Sequence, residues 1–97
     1  MKAVIDHCRQ IASYSEVSGQ ITRTFLSPPM RQVHEYLGAW MRRLGMATRV
    51  DHAGNLRGTY GEGKNALIIG SHLDTVPNAG AFDGVLGVVM AIQSVEL

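Results

Sequence analysis

The feature that most constrains the fold is an uninterrupted apolar run at residues 66–71 (ALIIGS), which leads into a glycine-rich segment at 70–84 (GSHLDTVPNAGAFDG). A short run without polar alternation is typical of a β-strand buried on both faces. Such a strand needs hydrogen-bonded neighbours on both edges. The chain is therefore expected to contribute to an α/β domain in which helices cover a sheet.

Regular apolar spacing predicts three helices. Residues 3–14 have one apolar face, and residues 85–95 are apolar on most sides. The clearest helix follows Ser27, a candidate N-cap, has Pro28 at its first position, and ends before Gly45. Its apolar stripe consists of Val33, Tyr36, Leu37, Trp40, Met41 and Leu44.

A β-hairpin is predicted between the second helix and the apolar run. The stretches 47–51 and 55–60 flank a connection that contains glycine. The element order is then helix, helix, hairpin, buried strand, helix, which suits part of a layered α/β domain with an incomplete sheet. The second helix is expected to pack on the strand, with Trp40 facing Ile68 or Ile69.

Composition excludes several classes of protein. The chain is 45% hydrophobic and 18% charged, which is typical of a globular domain. Its net charge is +1 and its basic residues are scattered, so neither a nucleic-acid-binding nor a membrane-binding face is expected. Cys8 is the single cysteine, which rules out an internal disulfide. With no signal peptide visible and the longest apolar stretch too short to span a bilayer, a cytoplasmic protein is expected.

The sequence stops inside a helical pattern, without a Gly, Asn or Pro stop signal. This predicts that residues 1–97 are the N-terminal portion of a longer domain.

Three side chains that can bind metal ions follow the predicted strand. His72 and Asp74 come directly after it, where open α/β sheets bind ligands, and Asp83 precedes the last predicted helix. If 72–74 is extended, Asp74 lies on the same side as His72 and can hold one imidazole nitrogen while the other binds a metal. The residues alone leave ordinary alternatives open: a half-buried histidine, a turn aspartate and an N-capping aspartate.

The segment 70–92 (GSHLDTVPNAGAFDGVLGVVMAI) resembles the first metal-binding segment of the M20 family of metallopeptidases and amidohydrolases. It is most similar to the branch of N-carbamoyl-L-amino-acid hydrolases and allantoate amidohydrolases. Upstream, residues 21–29 (ITRTFLSPP), 40–46 (WMRRLGM) and 50–63 (VDHAGNLRGTYGEG) resemble that branch in order and spacing.

The resemblance implies an N-terminal part of an M20-type catalytic domain, without its dimerisation domain. It implies that His72 binds one metal of a two-metal site, that Asp83 bridges both metals, and that Asp74 orients the His72 ring. The two ions would be zinc, manganese, cobalt or nickel. The general base and the remaining ligands would lie beyond residue 97, so the 97-residue chain alone is expected to be inactive.

The implied activity is hydrolysis of N-carbamoyl-L-amino acids or related ureido compounds by a homodimeric parent enzyme. An M20 aminoacylase or dipeptidase is the alternative among enzymes. The interval of 83 − 72 = 11 positions between His72 and Asp83 is typical of the ureido-hydrolysing branch, and argues against that alternative. A non-catalytic interaction module or gene remnant is the alternative from a different class.

Overall fold

A computed structural model describes residues 2–96 as three helices and one hairpin. The elements are α1 (Lys2–Ala12), α2 (Pro28–Arg43), β1 (Ala47–Val50), β2 (Leu56–Thr59) and α3 (Val85–Glu96). In this part of the chain, no helix combines the length and apolar character that crossing a bilayer requires. The broad α/β prediction is confirmed, and the three predicted helices and the hairpin are all present.

The hydrophobic core lies between the three helices. Each helix contributes one apolar face, and the faces form a single cluster of buried side chains. Its members are Val4, Cys8 and Ile11 from α1, Met30, Val33, Leu37, Trp40 and Met41 from α2, and Val85, Val89 and Ile92 from α3. Burial of these side chains is the main stabilising contribution to the fold.

Helix α2 begins and ends where its sequence predicts. Ser27 occupies the N-cap position with an extended backbone, and Pro28 and Pro29 open the helix. The Ser27 side chain makes no capping hydrogen bond within the described chain. Gly45 adopts φ +88°, and its N–H donates to the Arg42 carbonyl at 3.0 Å, which ends the helix in the left-handed conformation that glycine favours.

The hairpin packs against α2. Strands β1 and β2 pair antiparallel, from Ala47 opposite Thr59 to Val50 opposite Leu56. In the turn, Asp51 Oδ1 accepts hydrogen bonds from backbone N–H groups, which stabilises the tight connection. A side chain at Gly58 would overlap the Met41 sulfur, so this glycine permits the close approach of β2 to the helix.

The predicted buried strand at 66–71 is wrong for the described chain. These residues belong to no helix or strand, and Leu67, Ile68 and Ile69 are 87%, 86% and 59% exposed. The physical reason is that a strand covered on both faces requires neighbouring strands, whereas the described sheet contains only β1 and β2. The predicted layered arrangement around a central strand therefore remains a prediction.

Trp40 is buried, as predicted, but its predicted packing on Ile68 or Ile69 is wrong. The indole is 2% exposed and stacks on the His7 ring with centroids 3.8 Å apart and planes 15° apart. His7 Nδ1 lies 2.7 Å from the Tyr36 hydroxyl oxygen. Burial lowers the pKa of His7, which favours the neutral imidazole in this stack. The apolar stripe of α2 thus packs on the other helices.

We predict that Trp40→Ala lowers the free energy of unfolding by about 3–5 kcal/mol, because it leaves a cavity in the three-helix core. The matched control is Ile68→Ala, which removes an exposed side chain and is expected to change stability by less than about 0.5 kcal/mol. Urea unfolding of both variants measures the difference. Equal destabilisation by the two substitutions would contradict the assignment of the core.

Candidate metal site

The loop that carries the three predicted site residues is held at both ends. At its start, the Ser71 hydroxyl donates to the Gly84 carbonyl at 2.7 Å, next to the first turn of α3. Farther along, the Ala79 N–H donates to the Ile21 carbonyl at 2.7 Å, and the Asn78 N–H donates to the Thr22 hydroxyl at 2.8 Å. The segment around residues 21–23, which connects α1 to α2, therefore lies beside the candidate site.

Arg23 connects this loop to helix α1. Its side chain is fully buried, at 0% exposure. The guanidinium donates from Nε to the Leu73 carbonyl at 2.9 Å, and from Nη1 to the carbonyls of Ile11 (3.1 Å) and Tyr14 (2.8 Å). Carbonyls at a helix C-terminus lack partners within the helix and favour positive charge nearby. Arg23 therefore stabilises the end of α1 and the loop together.

The backbone of Arg23 also bonds to the loop. Its N–H donates to Thr75 Oγ1 at 2.8 Å, and its carbonyl accepts from the Thr75 N–H at 2.7 Å. Burial lowers the pKa of the Arg23 guanidinium, and the Asp74 carboxylate acts in the opposite direction. Arg23 thus fixes the residues on both sides of Asp74.

His72 and Asp74 are in contact. His72 Nδ1 lies 2.9 Å from the Asp74 carbonyl oxygen and 3.5 Å from Asp74 Oδ1, and both side chains are about half exposed. Both neighbouring oxygens accept hydrogen bonds, so Nδ1 carries the proton in this arrangement. The lone pair of the neutral ring is then on Nε2, the nitrogen that remains for a metal ion.

Asp83 follows the same loop, at the entrance to α3. It is exposed, and the next residue, Gly84, has a left-handed backbone with φ +74°. The His72 ring packs so closely on Gly84 that a side chain built there would overlap it. The imidazole therefore lies against the residue that follows Asp83. The strand that the sequence predicts before the site is absent from the described chain.

An imidazole and a carboxylate are donor groups that divalent transition metals accept, so His72 and Asp83 fit part of a metal site. Within residues 2–96, no group of three or more His, Cys, Asp or Glu side chains is arranged to hold an ion. A cavity of about 870 Å³ lies elsewhere, between α2 and the hairpin, and no residue of the 71–84 loop lines it. The loop can thus supply ligands without forming a complete site.

Sequence reasoning missed the residues that support the loop: Ser71, Thr22, Arg23 and Thr75. Each of their side-chain hydrogen bonds at the loop joins a side chain to a main-chain atom, and main-chain partners leave no compositional trace. The available signal was an arginine between two threonines in a segment that otherwise lacks charge from Val17 to Met30.

We predict that Gly84→Ala lowers the free energy of unfolding by about 1–3 kcal/mol, because the new side chain is strained at this φ and displaces the His72 ring. Gly80→Ala is the control, because Gly80 has open space around it in the described structure and no left-handed backbone. Urea unfolding and the His72 imidazole resonances measure both effects. Equal behaviour of the two variants would show that the ring does not pack on Gly84.

No family model matches the chain. Individual proteins do match it: allantoate deiminase 1 from Glycine max is 43% identical over 90 residues, covering 90% of this chain and 19% of the relative. An N-carbamoyl-L-amino acid amidohydrolase from Geobacillus stearothermophilus is 39% identical over 83 residues, covering 81% of this chain and 20% of the relative. The chain thus spans about a fifth of the length of these relatives.

A solved structure shows the same fold. The crystal structure of an amidase of the hydantoinase/carbamoylase family from Burkholderia phymatum matches with a TM-score of 0.86 and 29% identity, over 97% of this chain and 23% of that chain. The resemblance drawn from residues 70–92 is therefore confirmed: over most of its length, this chain is homologous to a segment of the allantoate deiminases and N-carbamoyl-L-amino-acid amidohydrolases.

Proposed function

We propose that the chain supplies the first metal-ligand segment of an amidohydrolase that uses two divalent ions. Residues 1–97 would form part of the metal-binding catalytic domain. The observation that carries the proposal is the geometry of His72: Nδ1 faces Asp74, and the ring packs on Gly84 beside Asp83. This arrangement lies in the segment that matches hydrolases of ureido compounds.

Each of the three residues has a distinct proposed role. His72 would hold one ion through Nε2, and Asp83 would supply its carboxylate to both ions. Asp74 would orient the His72 ring by accepting a hydrogen bond from Nδ1–H, which keeps the ring in the tautomer that a metal requires. Ligands of this chemistry accept zinc, manganese, cobalt or nickel.

When bound, divalent ions in such a site lower the pKa of a shared water and polarise the carbonyl of the substrate. Hydrogen bonds of Arg23 and Ser71 attach the loop that carries these side chains to the helical part of the chain. The general base and the remaining ligands are proposed to come from the part of the relatives that this chain does not cover. For this reason the 97-residue chain is expected to show no turnover alone.

The proposed substrates are N-carbamoyl-L-amino acids or a ureido compound such as allantoate, and the complete enzyme is proposed to be a homodimer. The names of the relatives support the class of substrate. An aminoacylase or dipeptidase activity is less well supported, because the interval of 11 positions between His72 and Asp83 is compact (83 − 72). A non-catalytic module is the remaining alternative.

A chimeric enzyme tests the proposal. Residues 2–96 replace the aligned segment of Glycine max allantoate deiminase 1, and allantoate hydrolysis is measured with added manganese. We expect activity in the chimera, loss of activity in its His72→Ala and Asp83→Asn forms, and a decrease of about 10–100-fold in its Asp74→Asn form.

The unsubstituted 97-residue chain and a His52→Ala chimera serve as controls, because His52 is an exposed turn residue of the hairpin. The isolated chain is expected to be inactive, and His52→Ala is expected to retain activity. A folded chimera without activity, or one that tolerates His72→Ala, would contradict the proposed function and favour a non-catalytic module.

A further inference from the structure

We propose that Arg23 is a positioning residue of this site, which sets the direction of Asp74 and thereby the tautomer of His72. The inference rests on the proposed function and assigns a role outside the predicted ligand set. Arg23 lies 49 positions before His72, the nearest of the three site residues (72 − 23 = 49), yet it bonds directly to the loop.

The geometry assigns this role because Arg23 holds the loop on both sides of one residue. Its Nε donates to the carbonyl of Leu73, and its backbone exchanges two hydrogen bonds with Thr75. Asp74 lies between these two attachments, with its carbonyl and carboxylate oxygens facing His72 Nδ1. Reorientation of the Asp74 main chain, which carries the carbonyl that faces His72 Nδ1, would therefore disturb the hydrogen bonds of Arg23 to Leu73 and Thr75.

The carbonyls at the end of α1 explain a positive charge at this position, but they do not account for the hydrogen bond from Nε to the loop. A buried guanidinium is expensive to desolvate, and a well-packed apolar side chain often stabilises a core as well or better. Moreover, Nη2 of Arg23 is buried without a hydrogen-bond partner among residues 2–96. The bond from Arg23 Nε to the Leu73 carbonyl fixes the residue directly before Asp74, which an apolar side chain could not do.

Lysine is not expected to replace arginine here. The guanidinium reaches Leu73 from Nε and the α1 carbonyls of Ile11 and Tyr14 from Nη1, in two directions fixed by its planar shape. A lysine ammonium is a single donor centre on a flexible stem and cannot reproduce that fork. Arg23→Lys therefore keeps the charge but loses the geometry.

The test compares Arg23→Lys and Arg23→Met with the same substitutions at Arg31, an exposed arginine on α2. The first readout is the tautomer of the neutral His72 ring in the metal-free chain, measured by ¹⁵N NMR at fixed alkaline pH. We expect a single Nδ1-protonated form in the unsubstituted chain and in the Arg31 variants. In the Arg23 variants we expect the mixture of tautomers shown by the exposed His52.

The second readout is Co²⁺ affinity by calorimetry, measured in the chimera with Glycine max allantoate deiminase 1, for which we expect about a tenfold loss in the Arg23 variants and no change in the Arg31 variants. Failure of the folded chimera to bind Co²⁺ through His72, judged against its His72→Ala form, would overturn the proposed function. The tautomer measurement would still decide the positioning role.

If the Arg23 variants do not fold, Thr75→Val and Thr75→Ser provide the same comparison. Valine removes the oxygen that accepts the Arg23 N–H, whereas serine keeps it. We expect the mixture of tautomers with valine only. Folded variants that keep a single His72 tautomer and unchanged Co²⁺ affinity, with only a lower melting temperature, would overturn the inference.

Discussion

The hydrogen bonds of the buried Arg23 are the interaction that joins helix α1 to the loop that carries the candidate site. The guanidinium joins the C-terminal end of α1 to the loop at Leu73, and its backbone pairs with Thr75. The helices are held together by apolar burial, which is non-directional and does not fix the orientation of a loop. Hydrogen bonds are directional, which is why we assign the orientation of Asp74 and His72 to Arg23 rather than to the core.

The described residues complete the helical core, but they leave the apolar segment at 66–71 exposed and the candidate metal site incomplete. The three-helix core buries its apolar side chains, whereas Leu67, Ile68 and Ile69 are exposed. The candidate site shows the same contrast. His72, Asp74 and Asp83 are present and supported, but the described chain contains no complete group of metal ligands. This contrast agrees with a chain that spans about a fifth of the length of its relatives.

Local chemistry explains which elements could be predicted from the sequence. Three signals predicted α2 correctly, because each acts within one or two turns of the helix: its apolar spacing, the proline after Ser27 and the glycine at position 45. The strand at 66–71 could not be judged in this way, because burial on both faces depends on neighbouring strands. Arg23 was missed for a related reason: its partners are mostly main-chain atoms distant in sequence. The ligand roles of His72 and Asp83 stay predictions.

Native-state hydrogen exchange of the unsubstituted chain tests most directly whether the loop is attached to the helical core. The N–H groups of Thr75 and Ala79 donate to the carbonyls of Arg23 and Ile21, both at 2.7 Å. The account predicts that these two amides are protected nearly as strongly as the core amide of Leu37, and that the amide of Ile68 exchanges almost freely. Exchange of Thr75 as fast as that of Ile68 would contradict it.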